Sequence, residues 1–174
     1  MKKSIVISVL GNDSPGLVKS LSHLIVAHQG DWVESQMANL AGKFAGILRV
    51  DLPADQLKAF QAALQNDQSL GLSAIFEESG SNPIEEQTEL EIALVGQDQL
   101  GIIHRISSAL SLMNASVDKL HTEIIEAAMT GETLFKADIK IHIPSGVKEN
   151  DIQEVLEELA NELIVDIQLV HSDT

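Results

Sequence analysis

The stretch Val9-Leu10-Gly11-Asn12-Asp13-Ser14-Pro15-Gly16-Leu17-Val18 decides the fold, because the chain contains it twice. The second copy reads Leu94-Val95-Gly96-Gln97-Asp98-Gln99-Leu100-Gly101-Ile102-Ile103, with Gly, Asp and Gly in the same places. Further along, Phe44 to Pro53 matches Phe135 to Pro144. The second copy has gained six residues around Glu126 to Glu132, which indicates a longer hairpin there. A repeat of this length indicates one supersecondary unit used twice.

Each copy has the pattern strand, helix, strand, strand, helix, strand. In the first copy we predict strands at 5–10, 32–40, 44–52 and 70–76, with helices at 14–29 and 54–66. The first helix is predicted to begin with Ser14 as N-cap and Pro15 in its first turn, and to end at Gly30. In the second copy, helices are predicted at 100–113 and 150–163, an alternating strand at 135–143 and a final strand at 164–170.

This order of elements predicts an α+β protein of two ferredoxin-like βαββαβ domains. Each domain would be a four-stranded antiparallel sheet with two helices on one face. We place the domains at 1–78 and 88–174, and the polar segment 79–87 between them is the predicted linker. Each domain is small for an independent core, so we expect the two to pack together.

Charge and composition exclude several classes of function. The net charge is -15, and residues 81–174 carry 18 acidic against 5 basic side chains, whereas residues 1–80 carry 8 against 6. Such a surface repels phosphate, and with 3% aromatic residues there are few platforms on which bases stack. We therefore predict no direct nucleic-acid binding. The acidic surplus is most simply a contribution to solubility, and the alternative is attraction to a basic partner.

The chain has no cysteine, which fits a reducing cytoplasm, and we predict a cytoplasmic location. The apolar run after Met1-Lys2-Lys3 alternates with Ser and ends at Gly11, so it is interpreted as a first strand and not as a signal peptide. No run of about 18 apolar residues is present, and we predict no membrane association.

The two loops between first strand and first helix are the candidate ligand sites. Backbone N–H groups and the positive end of the helix dipole meet there, and glycine lets the backbone approach a small ligand. An aspartate in the same loop can accept a hydrogen bond from an ammonium group. The alternative is that Asp and Gly simply form the turn and cap the helix. The candidate residues are Gly11, Asn12, Asp13, Ser14, Pro15, Gly16, Gln97, Asp98, Gln99 and Gly101.

No catalytic or metal-binding pattern is found. The six histidines have no ligand spacing, and the loops lack the residues of a dinucleotide or P-loop fingerprint. His121 and His142 could approach each other across the long hairpin near Glu123, although solvated strand histidines are the better interpretation. Without cysteine, no Ser, Thr or Lys is visibly paired with a base. We predict no enzymatic activity, no metal and no cofactor.

The motif Gly11-x-Asp13-x-Pro15-Gly16-Leu17-Val18 inside a doubled βαββαβ unit resembles the ACT domain family, over nearly the whole chain. The segment from Asp31 to Leu40, followed by Gly42 and Phe44, resembles more closely the glycine cleavage system transcriptional repressors within that family. The resemblance implies a regulatory module that binds an amino acid through the first loop. For the repressor group it also implies glycine as the signal and a LysR-type transcriptional activator as protein partner.

The leading hypothesis is a transcriptional co-regulator, a repressor of the glycine cleavage system, that senses glycine or a similar amino acid. The alternative is a stand-alone ACT pair that regulates a metabolic enzyme by contact. In the second copy Leu100 replaces Pro15 and the loop reads Gln97-Asp98-Gln99, so we expect the first copy to bind the ligand. We also expect the protein partner on the second copy. Open sheet edges make a homo-oligomer plausible.

Overall fold

Within residues 1–80, 87–127 and 131–170, which the structure describes, the computed structural model contains eight strands and four helices. They fall into two units, Met1–Asn82 and Pro83–Thr174. Unit 1 comprises β1 (Lys2–Asn12), α1 (Leu17–Ala27), β2 (Asp31–Leu40), β3 (Lys43–Pro53), α2 (Leu57–Asn66) and β4 (Leu72–Glu78). Unit 2 comprises β5 (Gln87–Gln97), α3 (Ile102–Leu112), β6 (Ser116–Glu126), β7 (Thr133–Pro144), α4 (Glu149–Leu163) and β8 (Val165–Val170).

Each unit is a four-stranded antiparallel sheet with two helices on one face, which confirms the predicted fold class. The strand orders are β2-β3-β1-β4 and β6-β7-β5-β8, so each unit repeats the other's topology. The domain bounds at 78 and 88 stay a prediction, because residues 81–86 of the expected linker lie outside the described residues. None of the described helices has the length and apolar character needed to span a membrane.

The first helix begins differently from the prediction. Its N-cap is Gly16, in the left-handed region at φ 87°, and no side chain caps it. Ser14 instead accepts a hydrogen bond at its carbonyl from the Leu17 N–H (3.3 Å), in the turn before the helix. The N-cap role assigned to Ser14 is therefore wrong, because a glycine that adopts positive φ lets the chain turn directly into the helix.

The end of the first helix also differs. The residue with positive φ after it is Gln29, at 58°, not Gly30. The Gly30 N–H donates to the Ile25 carbonyl (2.9 Å) and closes the helix. A Cβ on Gly30 would lie 2.9 Å from Ile25 Cγ2, so this glycine is needed for packing.

The two hairpins differ in length, as the repeat predicts. The first closes with two residues, Ala41 and Gly42, both at positive φ (51° and 75°), which is the geometry that matches the twist of paired strands. In the second, β6 ends at Glu126 and β7 begins at Thr133, and residues 128–130 of this connection lie outside the described residues.

Each unit has its own core between sheet and helices. The inward alternation predicted for 44–52 and 135–143 is confirmed, since Leu48, Val50 and Leu52 are buried, as are Ile139, Ile141 and Ile143. Phe60 of α2 is completely buried, and its ring meets His28 and Phe76 edge-on at 5.7 and 6.3 Å between centroids. This ring joins both helices of unit 1 to its sheet.

The outer faces of the two sheets, away from the helices, differ in chemistry. In unit 1 this face carries apolar side chains, of which Leu10, Ile47 and Ile75 are exposed. In unit 2 it carries charges, including the Lys140–Glu89 ion pair (2.7 Å). The hydrogen bond to Glu89 raises the pKa of Lys140. The repeat therefore conserves the core side of the sheet and varies the other side.

We predict that Phe60→Ala lowers the free energy of unfolding of unit 1 by about 3–5 kcal/mol, because it leaves a cavity between both helices and the sheet. Urea unfolding followed by the fluorescence of Trp32, the only tryptophan, measures it, since Trp32 packs on the core of unit 1. Leu10→Ala, at a side chain that is 54% exposed, should stay within about 0.5 kcal/mol of the parent. Equal effects of the two substitutions would contradict the assignment of the core.

Candidate functional site

The first candidate loop lies at the end of the central strand and is tied to the neighbouring hairpin. The Asp13 N–H donates to the Gly42 carbonyl (2.9 Å), and Lys43 Nζ donates to Asn12 Oδ1 (2.5 Å). Asn12, Lys43 and Asp13 are all exposed. An ammonium group that the sequence reasoning did not select, that of Lys43, therefore lies at the loop. Its position could be found from the sequence, because Lys43 is the last residue of the predicted hairpin turn, 41–43.

The helix that follows this loop has an uncapped start. No side chain hydrogen-bonds to the first turn of α1, so its free N–H groups remain available to a ligand. Among the described residues, the Asp13 carboxylate has no hydrogen-bond or ion-pair partner, and the same holds for Asp98. The capping explanation for these two aspartates is therefore wrong. The turn explanation holds for Gly16 and Gly101, which both adopt positive φ (87° and 85°).

The first glycine of each loop is required by packing inside its own unit. A Cβ on Gly11 would lie 2.5 Å from the Gly71 carbonyl oxygen, and one on Gly96 would lie 2.2 Å from Val165 Cγ1. These glycines allow the last strand of the unit to approach the central strand. Packing therefore explains why both loops have this glycine. Only the polar groups of the loops indicate that a ligand could bind there.

The second loop is occupied by contacts within its own unit. Gln99 Nε2 donates to the Leu163 carbonyl (2.6 Å) at the end of α4, which joins the loop to that helix. Opposite Gln97 stands Leu134, where the first unit pairs Asn12 with Lys43. The second loop therefore has no lysine at the place of Lys43, and the side chain of Gln99 is engaged in a hydrogen bond within the unit.

Neither of two described cavities is lined by loop residues. One is an open depression of about 230 Å³ on the outer face of the first sheet. Its apolar part is formed by Val6 and Ile47, and its polar part by Gln36 and by the Glu34–Arg49 ion pair (3.1 Å). Glu34 lies in the segment from Asp31 to Leu40 that carries the resemblance, but Arg49 and this depression were missed, because they depend on the register between β2 and β3.

The histidine pair suggested by the sequence is not formed. His121 lies opposite Asp138, and His142 lies opposite Ser116. The two positions are four residues apart along β7, which separates them by about 13 Å. His142 instead lies 3.6 Å from Glu89. Among the described residues, no group of three or more His, Asp or Glu side chains could hold a metal ion.

The fold defines a tandem of small α+β domains. Residues 3–77 match the family model of the ACT domain, so the first unit belongs to the ACT family, and the second unit repeats its fold. No curated protein matches the sequence.

Two solved structures are similar over nearly their whole length. A protein of unknown function from Galdieria sulphuraria is 29% identical, with a TM-score of 0.86 over 97% of this chain and 98% of that one. A protein described as a proposed glycine cleavage system transcriptional repressor is 16% identical, with a TM-score of 0.73 over 98% of this chain and 97% of that one. At that identity, the likeness shows the shared fold alone.

We predict that Gly16→Ala destabilises unit 1 by about 1–2 kcal/mol, because a Cβ is strained at this left-handed position. The substitution meets no neighbouring atom within 4 Å, so strain is the only cost. Ser14→Ala should be nearly neutral, since its hydroxyl does not cap the helix. Urea unfolding with Trp32 fluorescence compares them. A larger loss for Ser14→Ala than for Gly16→Ala would restore the serine cap.

Proposed function

We propose that this protein senses a small amino acid, glycine or a close analogue, at the loop from Gly11 to Gly16. The observation that carries the proposal is that two features occur in one exposed loop: an Asp13 carboxylate without a partner, and the start of α1 without a side-chain cap. An α-amino acid has one anionic and one cationic group, and such a loop offers a complement to each. Glycine itself enters through the resemblance to the repressor group.

The first loop is favoured over the second by two contrasts. Lys43 places a cation beside the first loop, whereas Leu134 stands at the matching place in the second. Gln99 of the second loop is bonded to Leu163 and is not free to meet a ligand. We therefore assign the ligand to unit 1, and Gln97, Asp98 and Gly101 are proposed as a structural copy of the site.

The proposed role is that of a cytoplasmic transcriptional co-regulator, a repressor that acts through a LysR-type activator and not by contact with DNA. The net charge of -15 supports this, because a protein that grips DNA needs a basic surface. The ligand would act by favouring one of two conformations of the protein. It can do so only if it binds one conformation more tightly than the other. We propose that this regulation acts by contact, without catalysis.

We predict that glycine or serine, titrated into the full chain, gives binding heat in isothermal calorimetry. Asp13→Ala should weaken that binding at least tenfold, because the ammonium group loses its acceptor. Asp98→Ala is the matched control and should leave binding unchanged. Absence of heat with both amino acids, or equal binding by the two variants, would refute the ligand assignment.

The partner assignment needs a separate experiment. Affinity capture with a LysR-type activator, in the presence and absence of glycine, should retain the protein in a glycine-dependent manner. Capture of a metabolic enzyme in its place, with a change in that enzyme's activity, would favour the alternative in which the chain is a stand-alone allosteric regulator. The two experiments are independent, since a ligand can bind without either partner.

A further inference from the structure

One end of unit 2 carries two large apolar side chains that its own domain leaves uncovered. Leu100, in the loop before α3, is fully exposed, and Ile164, between α4 and β8, is 84% exposed. A single exposed apolar residue is ordinary on a protein surface. These two residues differ from that ordinary case because they share one end of the unit and because unit 1 has neither of them.

A hydrogen bond brings the two segments together. Gln99 Nε2 donates to the Leu163 carbonyl (2.6 Å), and Leu100 and Ile164 are the residues that directly follow these two in the chain. The helices α3 and α4, whose ends meet here, also pack against each other. Leu100 and Ile164 therefore form one surface, the Leu100–Ile164 patch.

The duplicated unit supplies an internal control for both positions. Pro15 occupies the place of Leu100 in the first loop. Gly71 occupies the place of Ile164, because each directly precedes the residue that pairs with the first glycine of its loop. The same fold is therefore formed in unit 1 without the leucine and without the isoleucine, so the fold does not require them.

Ile164 also has a backbone conformation that isoleucine disfavours. Its φ and ψ are 54° and 51°, in the left-handed region, where a β-branched residue is an outlier and glycine is not. Gly71 adopts the same region in unit 1, at φ 58°, and a Cβ on it would meet no atom within 4 Å. Unit 2 thus holds a strained isoleucine that covers none of its own core. Strained residues of this kind cluster at functional positions.

The charges around the patch indicate the chemistry of its partner. Within six residues of Leu100 or Ile164 along the chain there are four carboxylates and one arginine or lysine, namely Asp98, Glu158, Glu162, Asp166 and Arg105. In the described part of the chain, only Glu162 of these four acids has an ion-pair partner, and that partner is Arg105. The last turn of α4 has no basic residue to offset the negative end of its dipole. A cationic partner complements this surface.

We propose that the Leu100–Ile164 patch is a docking surface for a basic amphipathic helix of another protein. Such a helix would lay apolar side chains on Leu100 and Ile164 and would place Lys or Arg side chains beside Asp98 and Asp166. A second copy of this chain would set carboxylates against carboxylates, and an anionic lipid surface would be repelled by the same charge. The inference rests on the function proposed above for the identity of the partner, and it is independent of the amino-acid site.

A synthetic helical peptide of leucine and lysine, with the leucines on one face, is the probe. Fluorescence anisotropy of the labelled peptide with the full chain, at physiological salt, measures the dissociation constant. The double variant Leu100→Pro/Ile164→Gly, which restores the residues of unit 1, should raise that constant at least tenfold. Leu112→Ser, at a leucine that is 87% exposed at the other end of α3, is the matched control and should leave it unchanged. No binding by the parent, or equal binding by the two variants, would overturn the proposal.

Stability separates the loss of a contact from the loss of the fold. Ile164→Gly should raise the urea midpoint of the full chain, measured by circular dichroism, because glycine relieves the strain at this position. A variant that binds the peptide less tightly is then more stable than the parent. A lower midpoint would mean that the side chain of Ile164 packs within unit 2, and the proposal would fail.

Charge variants test the choice of a basic partner. Asp98→Asn/Asp166→Asn should weaken peptide binding more than Asp55→Asn/Glu77→Gln, which changes the net charge equally at exposed positions of unit 1. A peptide with glutamate in place of lysine should not bind. Equal effects of the two double variants, or equal binding of the acidic peptide, would contradict the charge complementarity.

Two further measurements identify the occupant. Leu100→Pro/Ile164→Gly should lose capture by the LysR-type activator and keep the binding heat with glycine. Capture retained by this variant would overturn the proposal, whereas a parent that is not captured would refute only the proposed activator, since the peptide still tests the patch. Self-association of the parent in sedimentation that this variant abolishes would make a second copy the occupant and would also overturn the proposal.

Discussion

The first strand of each unit, β1 or β5, is hydrogen-bonded to a neighbouring strand on both sides. Near its end, at Gly11 or Gly96, there is no space for a side chain. β1 pairs with β3 as far as Asn12 and with β4 as far as Gly11, while β5 pairs with β7 and β8 in the same way. Glycine at 11 and 96 lets the last strand come within contact of this end. The loop that follows must then leave the sheet at one point and turn into a helix. The position of the candidate site is thus a consequence of sheet packing.

That constraint also explains why the two loops look alike but differ in what they offer. Both need a glycine for close approach and a glycine at positive φ, and these account for the repeated motif. The residues between them are free of this requirement, and there the copies have diverged at every position except the aspartate, Asp13 and Asp98. Asn12 is held by Lys43 in one copy, and Gln99 is bonded to Leu163 in the other. The shared glycines serve the fold, and the residues that differ around the shared aspartate distinguish the two loops.

Divergence extends to the surfaces of the sheets. The helix-facing side of each sheet is a core in both units. The outer face of unit 1 carries exposed apolar side chains beside the Glu34–Arg49 ion pair, whereas that of unit 2 carries several charged side chains. The edge strands β2 and β6 also differ in polarity. At matching positions β2 has Ser35 and Asn39, and β6 has Leu120 and Ile124. Two units with one fold therefore present different surfaces.

The sequence by itself determined the repeat, the order of elements, the fold class and the alternation of buried residues in β3 and β7. Those properties depend on local periodicity and on turn residues such as Gly16 and Gly42, and both can be recognised along the chain. Only the tertiary structure decided which polar groups are free. Asp13 does not cap its helix, Gln99 is engaged by α4, His121 and His142 lie apart, and Arg49 meets Glu34 across the sheet. Each of these depends on which residues the strand register and helix packing bring together, and a pattern read along the chain does not contain that information.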